Sequence, residues 1–219
     1  RRPPRSTPSN SSAASDVYKR QDIDNLVKKT VDEFHHIDIL VNNAATNPAF
    51  GSVFDIDEKA WDVTIGLNLK GYFFLSQAVG KVMREKGGGN IINISSRHGL
   101  KPGVGLGLYS VSKAGVIMLT QVLAQEWGQY NIRVNGIAPG SVRTRLAEAL
   151  LNIPTFVREE EGNTALRRLA EPDDMVNAAI FLASDASNYM TGETIVLDGG
   201  YFASLKTFLS LMSPNLKKR

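Results

Sequence analysis

The sequence predicts an α/β fold built on a doubly wound parallel sheet, and three observations support this prediction. Short apolar runs typical of buried strands occur at residues 37–41, 90–95, 132–137 and 194–197. The segments between them carry apolar residues at helical spacing, so strands and helices alternate along the chain. The runs are rich in Ile and Val, as expected for strands that helices cover on both faces.

The helical segments have recognisable boundaries. The first is predicted over residues 22–34, and a long helix over residues 58–85 is ended by the glycines that follow it. A third helix is predicted over residues 109–128. A fourth covers residues 172–184 and begins with proline, which is favoured at the first helical position.

The chain divides into a leader, one folded domain and a tail. Residues 1–21 are rich in Pro, Ser and Arg, so we expect a disordered leader. Its composition matches either an organelle transit peptide or a non-native segment joined to the domain. The domain is expected over residues 22–201. Residues 202–219 form a partly apolar tail, either a short amphipathic helix at an oligomer contact or unselected sequence.

Composition argues against several classes of function. Cysteine is absent, which rules out disulfides and thiolate sites, and the three histidines lack metal-ligand spacing, so no metal is expected. Of the total charge of +3, residues 1–20 and 199–219 each carry +4, which leaves −5 on the body. We expect no nucleic-acid partner, since a basic footprint should lie on a folded face. No apolar run has the length of a membrane span, so we expect no membrane partner and a cytoplasmic location.

Tyr109 and Lys113 lie four residues apart on a predicted helix, so both side chains project from one face. A phenol with its ordinary pKa of about 10 is a poor acid or base at neutral pH. A neighbouring ammonium group stabilises the phenolate and is expected to lower that pKa. The pair is a candidate for general acid–base chemistry, although the same spacing also occurs as a solvated pair.

Polar and small residues follow two of the predicted strands, at the edge where parallel sheets bind ligands. Ser96 comes after the second strand and thirteen residues before Tyr109, which leaves a loop long enough to bring the two hydroxyls together. Two such donors aimed at one carbonyl oxygen stabilise negative charge on it. Asn42 and Ala44 follow the first strand, where small residues let the backbone approach a flat ring. Turn formation is the alternative explanation for each Ser and Asn.

Six motifs in this order resemble those of the short-chain dehydrogenase/reductase superfamily, and the resemblance covers residues 22–201. The motifs are N-N-A-A at 42–45, G-L-N-L-K-G at 66–71, I-N-I-S-S at 92–96, Y-S-V-S-K at 109–113, P-G-S-V-R-T at 139–144 and T-G-E-T-I-V-L-D-G-G at 191–200. Ala45 stands where the family usually has glycine. The resemblance implies a Rossmann-like fold and an oxidoreductase that transfers a hydride between a nicotinamide cofactor and an alcohol or ketone substrate.

The resemblance also implies roles for individual residues. The implied catalytic tetrad comprises Asn68, Ser96, Tyr109 and Lys113. In it Tyr109 protonates the substrate oxygen, Lys113 also holds the ribose hydroxyls, and Asn68 anchors a water of the proton relay. Besides Tyr109 and Lys113, the implied cofactor side comprises Asn42, Ala44, Pro139, Gly140, Val142 and Thr144. A homo-oligomer is implied, because the helices that carry Asn68 and Tyr109 usually form the subunit contact.

The glycine-rich turn T-G-x-x-x-G-x-G, with which the family opens, does not occur in the sequence. Forty-one residues precede Asn42, whereas the family places three strands before that position. We therefore expect an N-terminally truncated or mis-assembled version of a complete enzyme. The turn binds the pyrophosphate, and the absent part also contains the residue that contacts the ribose 2′ position, so the choice between NAD and NADP stays open.

The substrate class is open between small polyols, sugar acids and 3-oxoacyl groups. Residues 141–169 are expected to form a helical lid over the substrate. Two alternatives are open for four side chains in or near this segment: polar contacts with the substrate, or solvated positions. The four are Arg97, His98, Arg143 and Arg145. The alternative to an enzyme is a non-catalytic, inactive subunit that retains the oligomer surface.

Overall fold

The computed structural model describes residues 20–202, which contain one four-stranded sheet. The strands are β1 (Ile39–Asn42), β2 (Gly89–Ile94), β3 (Ile132–Pro139) and β4 (Thr194–Leu197). They lie in the order β1-β2-β3-β4, and each neighbouring pair is parallel. Because the four strands run in one direction, their carboxyl ends meet at one edge of the sheet.

Helices fill the connections between the strands. Within the described range they are α1 (Arg20–Phe34), α2 (Glu58–Ile65), α3 (Gly71–Lys86), α4 (Gly107–Trp127), α5 (Glu148–Leu151), α6 (Pro154–Asn163) and α7 (Asp173–Ala183). The predicted long helix is divided into α2 and α3 by one π-helical turn, Gly66–Lys70. Pro172 caps α7 instead of occupying its first helical position.

The described chain begins in α1 at Arg20, two residues before the predicted start of the domain. Arg20 Nη2 donates to Gln77 Oε1 at 3.0 Å, which connects the beginning of α1 to α3. The rest of the predicted leader, and the tail after Phe202, lie outside the described residues. The domain boundaries therefore stay predictions.

Helices cover both faces of the sheet. On one face, α3 and α4 pack against the strands through a buried cluster that contains Val79, Met83, Ile91, Val116, Leu119, Leu123 and Val134. On the other face, Leu182 of α7 packs with Ile92 and Ile137. Successive residues of β2 thus serve opposite faces, as the pleat of a strand requires. This arrangement confirms the predicted doubly wound parallel sheet.

One helical segment in the described part of the chain, Gly107–Tyr130, is long and apolar enough by composition to cross a membrane. Half of its most apolar window is buried inside the protein, and Val116, Leu119 and Leu123 belong to the core beside the sheet. A buried core helix passes the same test of length and composition. The expectation of no membrane partner stays a prediction.

Candidate active site

Ser96 and Tyr109 meet beyond the carboxyl end of β2. Ser96 is buried at the start of a single 3₁₀ turn, Arg97–Gly99, and its Oγ accepts a hydrogen bond from the His98 amide at 3.1 Å. Tyr109 lies in the first turn of α4, and its phenol forms a hydrogen bond with the Ser96 side chain. The loop between the two residues therefore brings the hydroxyls together, as the sequence predicts.

Lys113 lies one helical turn after Tyr109 and has only 1% of its surface exposed. Its Nζ donates to the carbonyl of Ile94, the last residue of β2, at 2.7 Å. The same nitrogen lies 5.8 Å from the centroid of the Tyr109 ring and 5.3 Å from that of Tyr72. Aromatic rings at this distance attract an ammonium group, so the cationic form of Lys113 has some stabilisation inside the protein.

Burial dominates the proton affinities of these two side chains. Desolvation lowers the pKa of Lys113 to about 7. Desolvation also raises the pKa of Tyr109 above its ordinary value, and the hydrogen bond with Ser96 opposes this only in part. The predicted lowering of the Tyr109 pKa by Lys113 is therefore wrong for this structure. The cost of burying a phenolate exceeds the stabilisation that its neighbours supply.

Asn68 lies in the π-helical turn between α2 and α3, and its side chain is completely buried. Oδ1 accepts a hydrogen bond from the Thr46 amide at 2.8 Å, and Nδ2 donates to the Thr46 carbonyl at 2.9 Å and to Ser112 Oγ at 3.0 Å. Ser112 Oγ in turn donates to the Tyr109 carbonyl at 2.7 Å. The Asn68 side chain thus holds the loop after β1 against the start of α4. The implied water contact stays a prediction.

Asn42 is the last residue of β1, and its side chain points into the protein. Nδ2 donates to Ser76 Oγ at 2.9 Å and to Asn93 Oδ1 at 2.8 Å, which fastens β1 to α3 and β2. These bonds leave the Asn42 backbone as the part that a ligand can contact, and its place on the cofactor side stays a prediction. Ala44 is exposed and lines a cavity of about 230 Å³ between α1, β1 and the start of α3.

The other residues implied on the cofactor side follow β3. Pro139 ends that strand, and a Cβ on the adjacent Gly140 would lie 2.9 Å from the Cα of Asp198. Glycine therefore lets the chain pass close to the end of β4. Val142 forms an isolated bridge with Ala170, directly after the predicted lid, and Thr144 is exposed. These residues lie at the same edge of the sheet as Ser96.

Ser95 and Gly99 hold the loop after β2 against α4, although neither is singled out by the sequence. Ser95 Oγ donates to the Lys113 carbonyl at 2.9 Å. A Cβ on Gly99 would come within 2.7 Å of the same carbonyl, so only glycine allows this approach. Proximity to Ser96 in the chain is the one sequence signal that points to them.

The fold and these side chains define a dinucleotide-type α/β domain with a Ser-Tyr-Lys site at the carboxyl edge of its sheet. Residues 5–202 match the family described as enoyl-(acyl carrier protein) reductase. The chain is 39% identical over 184 residues to human dehydrogenase/reductase SDR family member 4, an alignment that covers 84% of this chain and 66% of the relative. The chain belongs to the short-chain dehydrogenase/reductase superfamily. It spans just under two thirds of the length of that human relative.

Solved structures show the same architecture. A gluconate 5-dehydrogenase from Burkholderia cenocepacia J2315, in complex with NADP and tartrate, superposes with a TM-score of 0.83 at 31% identity, over 87% of this chain and 73% of that chain. A 7α-hydroxysteroid dehydrogenase complexed with NADH and 7-oxo glycochenodeoxycholic acid gives a TM-score of 0.79 at 33% identity, over 83% of this chain and 70% of that chain. Both cofactors expected from the sequence occur among these relatives.

Proposed function

We propose that this chain is an NAD(P)-dependent oxidoreductase that interconverts an alcohol and a ketone. The observation that carries the proposal is the convergence of Ser96, Tyr109 and Lys113 beyond the end of β2. Two hydroxyl donors and a buried amine suit a reaction in which negative charge develops on one oxygen atom. The site lies where open parallel sheets bind their ligands.

In the direction of reduction, the Ser96 and Tyr109 hydroxyls donate hydrogen bonds to the carbonyl oxygen of the substrate. Tyr109 gives its proton to that oxygen as the carbonyl carbon accepts a hydride, so the ketone becomes an alcohol. Lys113, when protonated, stabilises the phenolate that remains. In the direction of oxidation the phenolate takes the proton back. The bound nicotinamide ring supplies or accepts the hydride.

The residues present fit the nicotinamide half of such a cofactor. Small side chains, a cavity beside Ala44 and a close approach of backbone at Gly140 leave room for a flat ring at the edge of the sheet. Lys113 supplies an amine for the ribose hydroxyls. Backbone atoms of Asn42 and Val142, together with Pro139 and Thr144, complete the proposed contact set. NAD and NADP both remain candidates.

Sugar acids are the substrate class that we favour. The support comes from the gluconate 5-dehydrogenase among the solved relatives. The description of the matching family supports acyl thioesters as the second class. Small polyols are the third.

A homo-oligomer in the cytoplasm is the assembly that we propose. Val111, Met118 and Val122 are exposed on α4 at helical spacing, and Phe73 of α3 lines the adjacent groove. An exposed apolar stripe of this kind is typical of a subunit contact. The same surface would remain in a non-catalytic subunit, which is the alternative function.

Titration of the purified chain with NADH and NADPH, followed by fluorescence and by the shift in thermal unfolding, separates the two functions. An enzyme is stabilised by at least one cofactor, because a ligand that binds only the folded state raises the free energy of unfolding. Replacement of the buried lysine, Lys113→Met, should weaken that binding, whereas the exposed lysine variant Lys59→Met should match wild type. A chain that binds neither cofactor would be the non-catalytic subunit.

A further inference from the structure

Arg97 and Glu160 form a buried ion pair. Arg97 Nη2 donates to Glu160 Oε2 at 2.6 Å, and the side chains are only 3% and 8% exposed. Neither residue belongs to the proposed tetrad or the proposed cofactor contacts. Arg97 is therefore not a free charge for an anionic substrate, because its guanidinium is already neutralised inside the protein.

The pair joins four segments at the carboxyl edge of the sheet. Arg97 follows β2, and Glu160 belongs to α6 in the predicted lid. Ser141, which follows β3, donates its hydroxyl to the same Glu160 oxygen at 2.6 Å. The Arg97 guanidinium carbon lies 3.7 Å from the centroid of the Tyr201 ring, just beyond β4. One cation thus fixes the lid helix relative to three strand ends.

The neighbouring ion pair on the same helix is a contrast. Arg143 and Glu161 lie 3.4 Å apart with side chains 43% and 35% exposed, where water screens their attraction. In the buried pair, loss of one partner leaves the other charge in a medium that solvates it poorly. Of these two ion pairs, the buried one therefore contributes more to holding α6 in one position.

Arg97 also follows directly after the proposed catalytic serine. The two residues share the turn in which Gly99 donates its amide to the Ser96 carbonyl at 2.9 Å and packs against α4 at Lys113. A displacement of Arg97 toward or away from the lid must therefore be transmitted to Ser96 through the backbone.

We propose that Arg97 and Glu160 are positioning residues that latch α6 closed and thereby set both substrate affinity and the placement of Ser96. The effect on turnover rests on the proposed function, whereas the latch itself does not. When the pair is broken, we expect α6 to be held only by its remaining contacts and to open and close. The rest of the fold should persist.

The test compares Glu160→Gln with its neighbour Glu161→Gln as a matched control. Amide hydrogen exchange over residues 154–163 reports the latch without any need for activity. Steady-state kinetics with 5-keto-gluconate and NADPH or NADH report KM and kcat. Ser141→Ala is a milder variant that removes one hydrogen bond to Glu160, and it serves if Glu160→Gln does not fold. The double variant Arg97→Met with Glu160→Met replaces the charges by apolar groups of similar length.

Glu160→Gln should speed exchange in α6 on the order of a hundredfold, and Ser141→Ala by a smaller factor, whereas Glu161→Gln should match wild type. KM should rise about tenfold in Glu160→Gln, with a smaller fall in kcat. The double variant should recover thermal stability but retain the raised KM, which a merely structural role would not produce.

Two results would overturn the proposal. One is exchange in α6 that is equal in Glu160→Gln and Glu161→Gln, and the other is full recovery of KM in the double variant. A wild-type chain without turnover would contradict the proposed function. The exchange data alone would then test whether Arg97 and Glu160 hold α6 in place.

Discussion

At the scale of single residues, the proton affinities at the site follow from burial. The amine of Lys113 is almost fully removed from water, and its pKa falls to about 7, so ammonium and amine forms coexist near neutral pH. Burial raises the pKa of Tyr109, which keeps the phenol protonated at the same pH. The phenol can therefore donate a proton, and the neighbouring amine can accept or release one. A proton donor that must be reprotonated after each turnover requires such a pairing.

The lowered pKa of Lys113 predicts a specific dependence of stability on pH. Between a folded pKa of about 7 and the ordinary value of 10.5, the unfolded chain binds the Lys113 proton more tightly than the folded chain. The contribution of Lys113 to the free energy of unfolding is therefore lowest below pH 7 and increases as the pH rises from about 7 toward 10. Urea unfolding of wild type and Lys113→Met across this window should show the rise in wild type alone.

Lys59→Met serves as the control for that comparison, because Lys59 is exposed on α2 and its replacement should leave the pH profile unchanged. Tyr109 is retained in all three chains, and its unfolded phenol ionises appreciably only as the pH approaches 10, so its contribution cancels in the comparison. Parallel profiles for wild type and Lys113→Met would show that the amine is not desolvated as described.

The convergence of Ser96, Tyr109 and Lys113 could be predicted from sequence, but the hydrogen-bond partners of several other side chains could not. The spacing of Tyr109 and Lys113 places both on one face of α4, and the structure has them there. Asn42 has the residue type and the motif position expected of a ligand contact. Its side-chain amide nevertheless donates to Oδ1 of Asn93, fifty-one residues away. The orientation of a polar side chain depends on which partners the fold brings near it, and spacing along the chain carries no information on them.

At the scale of elements, close packing of α3 against α4 depends on a glycine. A Cβ added to Gly80 would lie 2.7 Å from the Trp127 ring, closer than carbon atoms approach in proteins. We expect Gly80→Ala to lower the free energy of unfolding by about 1–3 kcal/mol, because the ring or the helix must move. Urea unfolding measures the change directly.

Gly128→Ala is the matched variant, because Gly128 directly follows Trp127 in the chain. Its added methyl would have no atom within 4 Å, and Gly128 has a right-handed helical conformation that alanine adopts without strain. This variant should be as stable as wild type or slightly more so. Equal stability of the two alanine variants would argue against the packing described for α3 and α4.

The division of the long helix shows what sequence patterns leave open at this scale. Apolar spacing continues through residues 58–85, and it predicts one helix. The π-helical turn at Gly66–Lys70 is stabilised instead by the contact of Asn68 with Thr46, twenty-two residues away. Such turns are frequent at functional sites, where an extra residue redirects a side chain. A tertiary contact of this kind has no periodic signature.

At the scale of the whole molecule, alternation of strands and helices was sufficient to predict the parallel sheet. Parallel neighbours require crossover connections, and each interval between strands is long enough to contain a helix. Alternation does not predict the contacts between side chains at the carboxyl edge of the sheet. Arg97 and Glu160 are sixty-three residues apart, and each alone is typical of a solvated surface.

The proposed reaction assigns one indispensable atom, the phenolic oxygen of Tyr109. The most direct test is turnover of Tyr109→Phe with NADPH or NADH and a keto-acid substrate, alongside cofactor binding by the same variant. The ring and its packing are retained, so cofactor affinity should be essentially that of wild type. Without the proton donor, kcat should fall by at least about a hundredfold. A Tyr109→Phe variant with wild-type kcat would contradict the assignment of the site and of the reaction.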